Sequence, residues 1–261
     1  MAKGGGKVPS KTASQADVGA FLEKVRLMPV GKKTCRPGRL LFAMDATASR
    51  KPTWDMAARI QGEMFQETAA LGGLEIQLAY YRGFDEFKAG QWTVEEKVLL
   101  GQMTSVFCLA GVTHIERVLA HAINETRERK IDALVFVGDC FEEDIDQVGK
   151  TAGELGLMGV PAFMFHEGAD PIAAFAFKQI AKLTNGAYCQ FDANSAQVLK
   201  DLLGAVAVYA AGGPSALDDM ARIRGGDMGR SVMRTPMASS MALATAAMGG
   251  TMHTSPTPLT P

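Results

Sequence analysis

Residues 42–55 read FAMDATASRKPTWD, and the fold turns on how they are read. The run Leu40-Leu41-Phe42-Ala43-Met44 is apolar without alternation, the pattern of a strand buried on both faces of a sheet. It stops on Asp45, and hydroxyls follow at Thr47 and Ser49. An acid and two hydroxyls at the lip of a buried strand suit three roles: a phosphate-transfer nucleophile, an oxygen cradle for a metal ion, or a helix cap.

Working outward, ALVFVG and AFMFH repeat the buried-strand pattern, and LEIQLAYY and AYCQF are weaker strand candidates. Between them lie helical periods. Ala57, Ile60, Met64, Thr68 and Leu71 fall three and four apart on one face, and VEEKVLLGQM, HIERVLAHAINETRERK, DQVGKTAGELGL, PIAAFAFKQIAKL and SAQVLKDLLGAVAVY read similarly. Several stop at LGG, LMG or TNG, where a helix end takes a left-handed residue. Leu74, Ile76, Leu78 and Tyr80 alternate with Glu75 and Gln77, which predicts a half-exposed strand turning through RGFDEFKAG into a short partner, GQW. Strands alternating with helices predict a three-layer α/β/α, doubly wound, mostly parallel sheet with an edge hairpin. In such sheets ligands bind at the carboxyl ends of strands, where Asp45, Asp139 and His166 fall.

The chain has 27 basic and 28 acidic residues, so its net charge of -1 gives no electrostatic reason to expect nucleic acid. Cys35, Cys108, Cys140 and Cys189 form no CxxC pair, which argues against a zinc knuckle and fits a reduced cytoplasmic setting. No apolar stretch is long enough for a membrane helix, and the basic start MAKGGGKVPSKTASQ lacks the core of a secretory signal. The expected organisation is a disordered tail over 1–16, a short helix (about Val18 to Leu27) and linker over 17–37, an α/β domain over 38–213, and a disordered tail rich in Met, Ala, Gly, Ser and Pro over 214–261. In that tail Met233, Met237 and Met241 keep helical spacing, but Pro236 interrupts them.

Two further segments bear on the opening motif. In CLAGVTHIERVLAHAI a glycine-bearing loop puts Thr113 at the start of an amphipathic helix, and ALVFVGDCFEED ends a buried strand on Asp139. Asp45, Thr47, Ser49, Thr113 and Asp139 offer three hydroxyls and two carboxylates from three loops, an all-oxygen set suited to a hard divalent ion. Taken singly, Ser49, Thr53 and Thr113 also read as helix caps.

In this order and context the five residues resemble the von Willebrand factor A-type domain with its metal-ion-dependent adhesion site, written Asp-x-Ser-x-Ser, a distant Thr and a distant Asp. The resemblance runs from Leu40 to Gly213. It implies a central first strand and an antiparallel strand near the edge. It also implies Mg²⁺, or Mn²⁺ or Ca²⁺, held directly by Thr47 and Ser49, by Thr113 directly or through water, and by Asp45 and Asp139 mainly through waters. The implied function is non-catalytic: cation-dependent binding of a protein partner whose acidic side chain completes the metal shell. By analogy of fold, the partner belongs to an AAA+ ATPase or chaperone system. Thr47 departs from the pattern but keeps the oxygen. The acidic run Glu142-Glu143-Asp144 after Cys140, where the family often has Gly, adds a field that favours a cation and opposes an acidic partner.

The competing resemblance is to haloacid-dehalogenase-like phosphotransferases, with Asp45 as nucleophile, Asp139 and Asp144 holding Mg²⁺ and Lys130 balancing the phosphate. The absence of an acid two residues after Asp45, the edge hairpin and the ordered chain after Asp139 count against it. His114 and His121, two turns apart on one helix, read as surface or packing residues, and His166 as a solvent-facing loop residue. The basic residues of ETRERK suit the negative end of a helix dipole.

Overall fold

The apolar run of residues 40–44 is the middle of β1 (Gly38–Asp45), a strand buried along its whole length. The computed structural model describes residues 15–28, 37–51, 53–57, 73–191 and 199–212. Ile60, Met64, Thr68 and Leu71, Cys35, the chain up to residue 14 and the C-terminal methionines lie outside them. All described residues fall within the first of two units, Met1–Asp219.

Six strands form one sheet in the order β3-β2-β1-β4-β5-β6, with β2 (Leu74–Arg82), β3 (Glu86–Ala89), β4 (Ala133–Gly138), β5 (Ala162–Glu167) and β6 (Tyr188–Phe191). Every pair is parallel except β2 with β3. The helices are α1 (Gln15–Arg26), α2 (residues 53–57), α3 (Glu96–Thr104), α4 (Ile115–Glu128), α5 (Ile145–Leu157), α6 (Pro171–Leu183) and α7 (residues 199–212). The architecture is the expected α/β/α arrangement, with β1 central and the antiparallel strand at the edge.

The strand period of two divides the core. Leu41, Ala43, Leu134, Phe136, Ala162 and Met164 pack with Ile115, Val118, Leu119, Ala122 and Ile123 of α4 and with the buried faces of α5 and α6. Phe163 and Phe165 face the other way, meeting Phe21 of α1, and Phe163 also meets Tyr209 of α7. Burial of each large side chain contributes about 1.5–3 kcal/mol. Asp144 caps α5 by accepting from Asp146 N and Gln147 N. Asp170 caps α6, where Pro171 takes a first-turn position that needs no donor.

Three local expectations are corrected. β2 is buried on both faces rather than half exposed. Gln77 is 4 % exposed, its Nε2 donating to Gly90 O at 3.0 Å and its Oε1 accepting from His121 Nε2 at 2.9 Å. The hairpin partner is Glu86–Ala89, ahead of GQW; the chain after it adds only the isolated bridge Ile76–Thr93. At TNG it is Asn185 that takes the left-handed conformation (φ 56°), whereas Gly186 is required because a Cβ there would lie 1.9 Å from Ala162 O.

Candidate metal centre

β1 and β4 are adjacent and parallel, so the loops at their carboxyl ends meet. There, Asp45, Thr47, Ser49, Thr113 and Asp139 line one cleft of about 350 Å³, with Ala48, Ala110, Gly111, Cys140 and Glu142. All five residues picked out by the sequence pattern are thus brought together.

The first arm follows from β1. Asp45 Oδ1 accepts from Thr47 N at 2.7 Å, which bends the chain into the 3₁₀ turn Ala48–Arg50. The Thr47 and Ser49 hydroxyls lie 3.3 Å apart, and Ser49 Oγ donates to Asp139 Oδ2 at 3.0 Å. Asp45 Oδ2 is buried with no hydrogen-bond partner. Burial, reinforced by Asp139 and opposed by the Thr47 hydrogen bond and Arg50, pushes the Asp45 carboxyl up to about 6.

The cap readings do not hold. Ser49 engages Asp139, the Thr53 hydroxyl donates to Glu167, and Thr113 Oγ1 accepts from Glu142 N at 3.0 Å. The N-terminus of α4 is capped from elsewhere: Glu143 accepts from Ile115 N at 2.6 Å and Glu116 N at 2.9 Å. A carboxylate there also meets the positive end of the helix dipole. Thr113 and Glu143 together clasp the loop after β4 to the start of α4.

The loop that carries Thr113, ahead of α4, is fixed by close backbone approach. Val112 N donates to Gly83 O at 3.1 Å, and Leu109 N to Ala46 O at 3.0 Å. A Cβ on Gly111 would lie 1.9 Å from Gly83 O, so the hairpin turn seats itself only against a glycine.

Beneath the cleft Arg50, 1 % exposed, pairs with Glu167 at the end of β5. Burial pushes this guanidinium's pKa down, and the charges of Asp139 and Asp45 oppose that shift. His166 is fully buried rather than solvent-facing. It sits opposite Gly138, its Nδ1 is 3.0 Å from Tyr188 Oη, and burial pushes its pKa down. His121 packs on Phe87 and faces Gln77. His114 Nε2 lies 3.1 Å from Phe84 O.

Two parts of the phosphotransferase reading are overturned. Lys130 precedes β4, and the length of that strand, about 17 Å at 3.3 Å per residue, separates it from the end where Asp45 lies. Asp144 is engaged in capping α5.

Among the described residues no group of three or more His, Cys, Asp or Glu is placed to hold a metal ion. What the cleft offers instead is the carboxylates of Asp45, Asp139 and Glu142 among three hydroxyls. An orphaned, buried carboxylate oxygen beside three hydroxyls and a second carboxylate fits a hard divalent cation with retained waters.

The sequence matches no protein-family model and no curated protein. Solved structures do match. The SpRpn10 VWA domain aligns with a TM-score of 0.51 at 13% identity, over 64% of this chain and 94% of that one. The vWF domain of the type V pili tip protein Mfa5 from Porphyromonas gingivalis gives 0.53 at 10%, over 67% and 96%. Proximal thread matrix protein 1 from the mussel byssus, with a zinc-occupied MIDAS motif, gives 0.52 at 14%, over 66% of this chain and 46% of that one. The chain therefore spans under half of the mussel protein. At these identities the likeness shows the fold alone, and that fold is VWA-like.

Proposed function

We propose that the cleft binds a divalent cation, Mg²⁺, Mn²⁺ or Ca²⁺, and that the domain is a cation-dependent protein-binding module without catalytic activity. The observation that carries this reading is Asp45 Oδ2, a buried carboxylate oxygen without a partner in a cleft lined by three hydroxyls and Asp139. Thr47 and Ser49 would ligate directly, Thr113 directly or through water, and Asp45 and Asp139 mainly through waters. Bound there, the cation supplies an electrophilic centre for an oxygen ligand. The zinc-occupied site of the mussel neighbour is in keeping with a divalent ion in this fold.

A macromolecular partner is favoured by the rim. Phe84 at the hairpin turn, Phe107 and Leu109 are 80 %, 59 % and 40 % exposed beside the cleft loops. Arg82, itself buried, stacks 4.3 Å from the Phe107 ring and donates to Phe107 O, presenting that aromatic outward. Exposed apolar side chains grouped beside a polar cleft are a usual mark of an interaction site. In the cell the module would serve as a cytoplasmic adaptor in the assembly of a complex, with an AAA+ ATPase or chaperone system as the partner class.

Thermal melting tests the site. Mg²⁺ or Mn²⁺ at saturating concentration should raise the melting temperature, since a ligand at about 100 times its Kd stabilises the folded state by about 2.7 kcal/mol. Asp45→Ala should abolish the rise. An unchanged wild-type curve overturns the cation reading. A pull-down in Mg²⁺ against EDTA then identifies partners whose retention needs the ion.

A further inference from the structure

Glu142 is the third carboxylate of the cleft lining, and it lies outside the five-residue pattern. Its two acidic neighbours have structural employment, Glu143 on the N-terminus of α4 and Asp144 on that of α5. Glu142 has none: its exposed carboxylate makes no hydrogen bond or ion pair with another described residue. Its main chain, by contrast, is anchored, because Glu142 N donates to Thr113 Oγ1. Among the described residues no lysine or arginine lines the cleft, and Arg50 below it is paired with Glu167.

We propose that Glu142 closes the cation cleft from within. It supplies from this chain the acidic oxygen that a partner would otherwise bring, so a partner carboxylate binds only by displacing it. This rests on the cation reading above. The carboxylates as they stand do not converge on a single point. Its main chain is held beside Thr113, and Glu142 already belongs to the lining of the cleft. A divalent cation beside ionised Asp45 and Asp139 is already charge-balanced, whether or not waters intervene, and Glu142 makes the occupied cleft net negative. An arriving carboxylate then meets repulsion where the cation alone would attract it. The partner surface that fits without displacement is neutral or basic, with apolar side chains for Phe84, Phe107 and Leu109.

Mn²⁺ titration followed by water-proton relaxation tests this in the full chain, with wild type and Glu142→Ala, each with and without acetate. The substitution leaves the Thr113 bond intact, because that bond uses the main chain. Glu142→Ala should weaken Mn²⁺ binding about tenfold or more. The bound ion should also gain a coordinated water, seen as higher relaxivity. Acetate should restore affinity and remove that water in the variant while leaving wild type unchanged. Glu142→Gln, which keeps the shape, should behave as Glu142→Ala does before acetate is added. Wild-type affinity and hydration in both variants, or an equal effect of acetate on wild type and Glu142→Ala, overturns the role of Glu142 alone. If wild type binds no Mn²⁺, the cation reading fails and this one with it.

Discussion

Ser49 and Asp139 are 90 residues apart in sequence and joined by a hydrogen bond of 3.0 Å, donated by the hydroxyl. That bond ties the loop after β1 to the loop after β4. Because Ser49 is exposed, Ser49→Ala should cost no more than about 1 kcal/mol of stability. It should nevertheless sharply reduce the rise in melting temperature caused by Mn²⁺, since it removes a direct oxygen donor. Paired melts with and without the ion measure both effects. A full cation response in Ser49→Ala would remove Ser49 from the donor set.

The Asp45 carboxyl gives the cation-free protein a defined pH dependence. It ionises near pH 4 in the unfolded chain and at about 6 when folded. Between those values the folded state binds the extra proton, so this carboxyl's contribution to stability is greatest below pH 4 and falls as pH rises toward 6. A shift of about two units corresponds to about 3 kcal/mol of destabilisation at neutral pH. Asp45→Asn keeps the acceptor for Thr47 N and removes the buried charge. It should stabilise the cation-free protein at pH 7.5, change it little at pH 4, and abolish the cation response. Urea denaturation in EDTA at the two pH values decides the matter. Equal effects of Asp45→Asn at both would overturn the assignment.

Two glycine substitutions should have opposite signs. Gly111→Ala drives a methyl group into the carbonyl of Gly83 and should cost about 1–3 kcal/mol. Gly153→Ala, inside α5 with nothing within 4 Å of the new Cβ, should stabilise by about 0.5–1 kcal/mol. Only the first should also diminish the cation response, because only the first moves the loop carrying Thr113. Chemical denaturation and the Mn²⁺ melts read the two quantities separately.

Periodic burial made the sheet legible. β1, β4 and β5 each contain an unbroken apolar run, and the α4 residues spaced three and four apart are those that meet them. The five cleft residues were legible because each lies at the end of a strand, in the turn that follows it, or just ahead of a helix, at the same side of a parallel sheet. β3 was misplaced because an edge strand with charged residues, such as Glu86 and Lys88, resembles a loop in composition. The burial of His166 depends on its register opposite Gly138, which leaves room for an imidazole against Phe177. The work of Glu143 was hidden because its acceptors' partners stand 27 and 28 residues upstream. Arg50 likewise reads as a surface charge until β5 brings Glu167 against it.

The Glu143 clasp has a mechanical consequence. From Ile115, which it holds, α4 runs about 15 Å to Glu125 at 1.5 Å per residue. Glu125 accepts from the indole N–H of Trp92 at 2.7 Å and pairs with Arg39, whose guanidinium lies 3.7 Å over the Trp92 ring. The helix is thus a strut with one foot on the loop after β4 and the other on a tryptophan at the opposite rim of the sheet. The indole is thereby an optical gauge for strain applied at the far foot.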